Sequence, residues 1–94
     1  MWYIYIICCD DNTLYTGITT NVERRFNEHK QGGARGAKYL RGRGPLKLVA
    51  QIKIGNRRQA ARLEYYIKTL PKSEKEHLVD CPAALHTLLE SIEE

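Results

Sequence analysis

Long apolar runs are missing from this 94-residue sequence. The longest lies near Trp2 to Cys9, far short of the about 20 residues that a membrane-spanning helix requires. No basic segment precedes that run and no small-residue cleavage site closes it, so a signal peptide is not expected. Cysteine is scarce and odd in number: three residues, with Cys8 and Cys9 adjacent. That disfavours a disulfide scaffold and suits a reducing compartment, so a cytoplasmic setting is expected. No Cys/His spacing makes a zinc site, and no Walker or dinucleotide fingerprint occurs. Nothing supports a Ser/His/Asp or Cys/His triad. Repeats, low-complexity tracts and linkers are also lacking, and the length fits one domain over residues 1–94.

Acidic residues are nearly absent from the middle of the chain. Residues 24–62 hold twelve Lys or Arg against one acid, Glu28, whereas residues 1–23 carry no Lys or Arg at all. A net charge of +4 therefore hides a strongly basic centre. Concentrated positive charge attracts polyanions, of which nucleic acid is the commonest, although a solvated lysine-rich surface gives the same count.

Trp2 to Cys9 is rich in aromatic and β-branched residues and reads as a strand apolar on both faces. Asp10, Asp11 and Asn12 form a turn, and Leu14 to Thr19 a second strand. The pattern Thr20-x-x-Glu23 predicts a capping box and a helix from about Val22 to Lys30. Val22, Phe26 and His29 share one face of it, with Arg25 on the edge. Five of the seven glycines then punctuate a basic stretch, with one helical turn expected at Ala37 to Leu40. A third strand is predicted over Leu46 to Ile54, with Leu46, Leu48, Ala50, Ile52 and Ile54 on one face. Asn56-x-x-Gln59 starts a helix whose stripe is Ala60, Leu63, Ile67 and Leu70, ended by Pro71. Ser73 to Val79 and Pro82 to Ile92 read as further helices. The order implies an α+β fold: a three-stranded, mainly antiparallel sheet flanked by helices.

Four groups of residues bear on chemistry. A three-residue turn would set Cys9 against Thr13 and Tyr5 against Gly17, which makes Tyr5 and Tyr15 diagonal neighbours on one face. Gly17 would leave open space above Tyr5, room for a water or a phosphate oxygen. A two-residue turn would separate the hydroxyls, and strand tyrosines also serve simply as core. Arg25 and His29 stand four apart, a guanidinium fork beside a titratable ring; a surface arginine beside a core-edge histidine is the plainer alternative. Glu64 borders the apolar stripe, where a carboxylate is costly unless paired or metal-bound. Single-carboxylate ligation suits Mg²⁺, and a salt bridge to Lys68 or an arginine fits equally well. The stretch from Arg35 to Pro45 mixes cations, glycines and Tyr39, which suits phosphate contact and base stacking, or a plain basic loop.

Taken in order, Tyr3-Ile4-Tyr5, Tyr15-Thr16-Gly17, Arg25 with His29, and Glu64 resemble the GIY-YIG nuclease superfamily. The segment Gly36 to Pro45 resembles that of its small, single-domain YhbQ-like members. The resemblance is strongest over residues 1–80, with residues 82–94 left as a C-terminal helix. It implies a metal-dependent endonuclease acting on DNA, with Mg²⁺ or Mn²⁺ held by Glu64. It further implies that Tyr5, helped by Tyr15, orients or deprotonates the attacking water, for which a cationic neighbour would have to lower its pKa. Arg25 would neutralise the phosphate and His29 would assist. Arg24, Arg35, Lys38, Tyr39, Arg41 and Arg43 would hold the nucleic acid.

The sequence departs from the family pattern at Tyr3, where a glycine is usual, and at Thr16, where an isoleucine is usual. No Asn follows Glu64, and Lys38 or Tyr39 stands where relatives often supply a further His. The partner is expected to be DNA, including branched or damaged forms, and not a membrane, and a protein partner or homodimer would be needed for strong sequence specificity. A non-catalytic or partner-dependent nucleic-acid-binding module is the competing reading. A protein-binding domain is a third.

Overall fold

A computed structural model describes residues 1–32 and 36–93. Arg35, one of the candidate nucleic-acid contacts, lies outside the described residues. The elements are β1 (Trp2–Cys8), β2 (Leu14–Thr19), α1 (Val22–Gln31), a 3₁₀ turn at Lys38–Leu40, β3 (Lys47–Gly55), α2 (Arg57–Lys68), α3 (Lys72–Asp80) and α4 (Ala84–Glu93). The sheet order is β2-β1-β3, antiparallel throughout. This is the expected α+β architecture.

The hairpin turn sets the register on which the site depends. The Cys9 N–H donates to the Thr13 carbonyl at 2.9 Å, and the Asn12 N–H to the Cys9 carbonyl at 2.9 Å. Asn12 takes a left-handed φ of 67°, which asparagine tolerates better than most residues. Asp11 Oδ1 accepts from the Thr13 hydroxyl at 2.6 Å and from its N–H at 3.1 Å, and these bonds hold the Asp11 carboxyl below its ordinary value. Three residues thus close the turn, and Tyr5 pairs with Gly17.

β1 is central and buried on both sides, with Ile4, Tyr5, Ile6 and Ile7 all 1% exposed or less. Ile4, Ile6 and Ala50 pack under Leu63 and Ile67 of α2, with Leu78 of α3 and Leu85 and Leu89 of α4. On the other face, Tyr5 and Ile7 pack with Val22 of α1 and Leu40 of the 3₁₀ turn. Burial of this kind contributes about 25 cal/mol per Å² of apolar surface removed from water.

Two expectations are corrected. The five-residue face of the third strand does not hold, because the pairing skips Val49: Ile6 faces Ala50, whereas Ile7 faces Leu48. That bulge shifts the alternation by one residue. Leu46 and Leu48 therefore join Tyr5 and Ile7, and Ala50 and Ile52 stay with Ile4 and Ile6. The cap of α1 is also not Thr20. Asn21 sits at the N-cap in extended conformation and accepts the Arg24 N–H at 3.0 Å. Glu23 instead lies in the first turn, where its charge complements the positive helix end. The Asn56–Gln59 capping box forms as expected.

Candidate active site

Three elements bring the tyrosines, the arginine and the histidine together. Tyr5 projects from the middle of β1 across Gly17, where a Cβ would collide with its Oη and Cζ. The open space expected above Gly17 is thus occupied by the Tyr5 ring itself. Tyr15, two residues before Gly17, projects on the same face, with the two ring centroids 6.4 Å apart. From α1, His29 places Nε2 2.8 Å from the Tyr5 hydroxyl. Its ring lies 5.8 Å from that of Tyr5 and 5.7 Å from that of Tyr15. Arg25, one turn earlier, is near enough for its charge to bear on the Tyr5 hydroxyl and pairs with Glu28 at 3.0 Å.

Glu64 approaches from α2, the helix that packs along β2. Its carboxylate meets Lys68 Nζ at 3.5 Å, and that ammonium lies 5.6 Å from the Tyr15 ring centre. Lys68 therefore bridges the acid and the tyrosines. Of the two sequence alternatives for Glu64, the salt bridge to Lys68 is present, and the Glu64 side chain remains about a quarter exposed.

Burial governs the ionisation of the site. It raises the Tyr5 pKa above the ordinary phenol value, with the neighbouring Tyr15 adding to the rise and Arg25 opposing it. The lowering expected from a cationic neighbour is therefore outweighed. Burial and the Arg25 charge depress His29 to about 4, against a smaller pull upward from Glu28. The ring is neutral near pH 7. For Arg25, burial works against the charge, but the Glu28 hydrogen bond and Tyr5 outweigh it and the pKa rises.

Tyr39 stacks on Tyr15 at 5.7 Å and lies under the Arg43 guanidinium at 4.4 Å. Arg43 also pairs with Asp11 at 2.6 Å, which clasps the loop to the hairpin turn. Lys38 opens the 3₁₀ turn and Arg41 follows it. Arg24 is exposed on α1 beside Asn27 and Gln31, at some remove from the tyrosines.

Among the described residues, no three His, Cys, Asp or Glu side chains gather to hold a metal, and no helix is long and apolar enough to cross a membrane. The donor set suits an ion carried by one carboxylate, with water and phosphate filling the shell. Two participants escaped the sequence reading. Glu28 was marked by its isolation among cations and by its helical spacing from Arg25. The backbone N–H of Ala37, which donates to His29 Nδ1 at 3.1 Å, has no side-chain signature.

The profile of the GIY-YIG catalytic domain matches residues 1–77. The chain belongs to the GIY-YIG family. It is 49% identical over 92 residues to the UPF0213 protein YhbQ of Salmonella typhimurium, covering 98% of this chain and 90% of that one. It is 55% identical over 78 residues to a UPF0213 protein of Cronobacter sakazakii, covering 83% and 80%. The solution structure of the UPF0213 protein BH0048 from Bacillus halodurans is similar, with a TM-score of 0.54 and 47% identity over 85% of this chain and 84% of that one. That of EF2693 from E. faecalis gives 0.57 and 35%, over 83% and 81%. These names carry no activity. Membership of the GIY-YIG family places the chain in a lineage of nucleases that generally act on DNA with a divalent metal.

Proposed function

We propose that this chain is a metal-dependent endonuclease that hydrolyses DNA phosphodiester bonds. We further infer that it acts in the cytoplasm, on branched or damaged DNA in repair or processing. The observation that carries the reading is the hydrogen bond of one buried phenol, Tyr5, to His29, with Tyr15 beside it and Arg25 and Glu64 close enough for their charges to bear on the phenol.

In this reading Arg25 neutralises charge that builds on the phosphate, the electrostatic contribution that usually dominates. Tyr5 orients the attacking water and takes its proton once the phenol has ionised. The Arg25 guanidinium stabilises that ionised oxygen. Tyr15 packs against both Tyr5 and His29 and fixes their angle. Glu64 would hold the divalent ion, Mg²⁺ or Mn²⁺, which when bound supplies Lewis acidity at the scissile phosphate. Lys38 and Arg41 position the DNA backbone beside the tyrosines, and Arg24 extends the cationic track along α1.

A second reading has its own observation. Arg25 and Glu64 each already hold a partner of opposite charge, Glu28 and Lys68. A module that binds DNA and cuts only when a partner protein or a second copy reorganises these pairs fits that arrangement. Nicking of supercoiled and four-way-junction DNA with Mg²⁺, Mn²⁺ or EDTA separates the two. The nuclease reading expects metal-dependent cutting by the isolated chain, lost in Glu64→Ala while DNA binding persists. Robust binding with no cutting of any DNA form in either metal would overturn it in favour of the module.

A further inference from the structure

We propose that His29 is a positioning residue locked as a hydrogen-bond donor to Tyr5, with the backbone N–H of Ala37 as the lock. That amide donates to Nδ1 at 3.1 Å, and a backbone amide can only donate. Nδ1 therefore carries no proton. A neutral imidazole then has its one proton on Nε2, and Nε2 stands 2.8 Å from the Tyr5 hydroxyl oxygen. The ring is neutral because it is buried and because Arg25 repels a second positive charge. The groups that face it are Tyr5 from β1, Tyr15 from β2, Arg25 and Glu28 on its own helix, and Lys30 and Arg41 around the cavity beside it.

The consequence is directional. His29 donates to the Tyr5 oxygen, and the nearby Arg25 charge also favours its ionised form. The phenol's own O–H must then point away from the histidine. A histidine that accepted the Tyr5 proton would need a bare Nε2, hence a proton on Nδ1, and Ala37 blocks that tautomer. His29 accordingly holds the phenol oxygen in place and stabilises its ionised form; it does not relay the proton. The lock also ties the site to the basic segment, since Ala37 immediately precedes the Lys38–Leu40 turn.

The catalytic consequence rests on the nuclease reading, but the lock itself does not. Nitrogen-15 NMR of the imidazole should show the neutral Nε2–H tautomer from about pH 5 to about pH 8, and a proton on Nδ1 in that range would overturn the proposal. Glutamine can keep a donor near the Nε2 position but cannot accept a proton. His29→Gln should therefore cut DNA within about tenfold of wild type, whereas His29→Ala should lose on the order of 100-fold. If a folded His29→Gln is as inactive as His29→Ala, His29 moves protons and the positioning role is wrong. If the wild type cuts no DNA, the nuclease reading falls, and the NMR result alone decides the lock.

Discussion

Gly17→Ala offers a direct test of how tightly the phenol is held. The added Cβ would overlap Oη and Cζ of Tyr5 and stand 2.9 Å from Cε1, nearer than real Cβ contacts come. The ring cannot swing aside freely, because it is 1% exposed and its hydroxyl is bonded to His29 at 2.8 Å. Overpacking of this kind costs about 1–3 kcal/mol. Replacing a strand glycine by alanine otherwise gains about 0.5–1 kcal/mol. The expected net loss is about 1–2 kcal/mol, or roughly 5–15 °C in Tm for a domain of this size. The hydroxyl must also move by about 1 Å, a displacement that costs on the order of 100-fold in rate. Thermal unfolding followed by circular dichroism, and plasmid nicking, measure the two effects. Tyr5→Phe in the same chain removes the Oη overlap but leaves Cζ, so it should recover part of the stability and none of the activity. A Gly17→Ala protein with unchanged Tm and unchanged cutting would refute the account of this contact.

Other outcomes follow from the same geometry. Because burial raises the Tyr5 pKa, cutting that needs its ionised form should climb about tenfold per pH unit from about pH 6 to about pH 9; a flat profile would exclude Tyr5 as the base. His29 falls from 6.5 unfolded to about 4 folded, so the unfolded chain binds more protons between those values. Its contribution is complete above about pH 6.5 and disappears as pH falls towards 4, a loss of about 1–3 kcal/mol in urea unfolding that His29→Gln should not show. The Arg43–Asp11 pair is partly exposed on both sides, so Arg43→Ala should cost less than about 1 kcal/mol, and a larger loss in urea unfolding would show that its stacking on Tyr39 carries the rest.

Much of the fold was legible because the turn is so local. Asp10, Asp11 and Asn12 admit a three-residue loop with asparagine in the left-handed position, and that single choice places Tyr5 over Gly17 and beside Tyr15. The same sequence hid the bulge at Val49, since an alternating run of Leu46, Leu48, Ala50 and Ile52 gives no sign of where pairing skips a residue. The pairing of Arg25 with Glu28 lies at ordinary helical spacing and could have been read as surface decoration. The Ala37 contact is illegible in principle, because a backbone amide belongs to every residue except proline and only tertiary placement selects one of them.

The site also carries an internal conflict that its chemistry has to resolve. The packing that holds Tyr5 also raises its pKa, so the phenolate that the proposed mechanism uses is scarce near neutral pH. Arg25 opposes the burial but shares its charge with Glu28, and Glu64 adds negative charge that raises the pKa further. Substrate phosphate entering between Arg25 and Glu64 would add negative charge and make ionisation harder still. New positive charge at Glu64 would offset that rise. In the nuclease reading, a divalent ion held by Glu64 would supply that charge. A Glu64→Gln protein that kept wild-type cutting at every metal concentration would show that another source of positive charge performs that function.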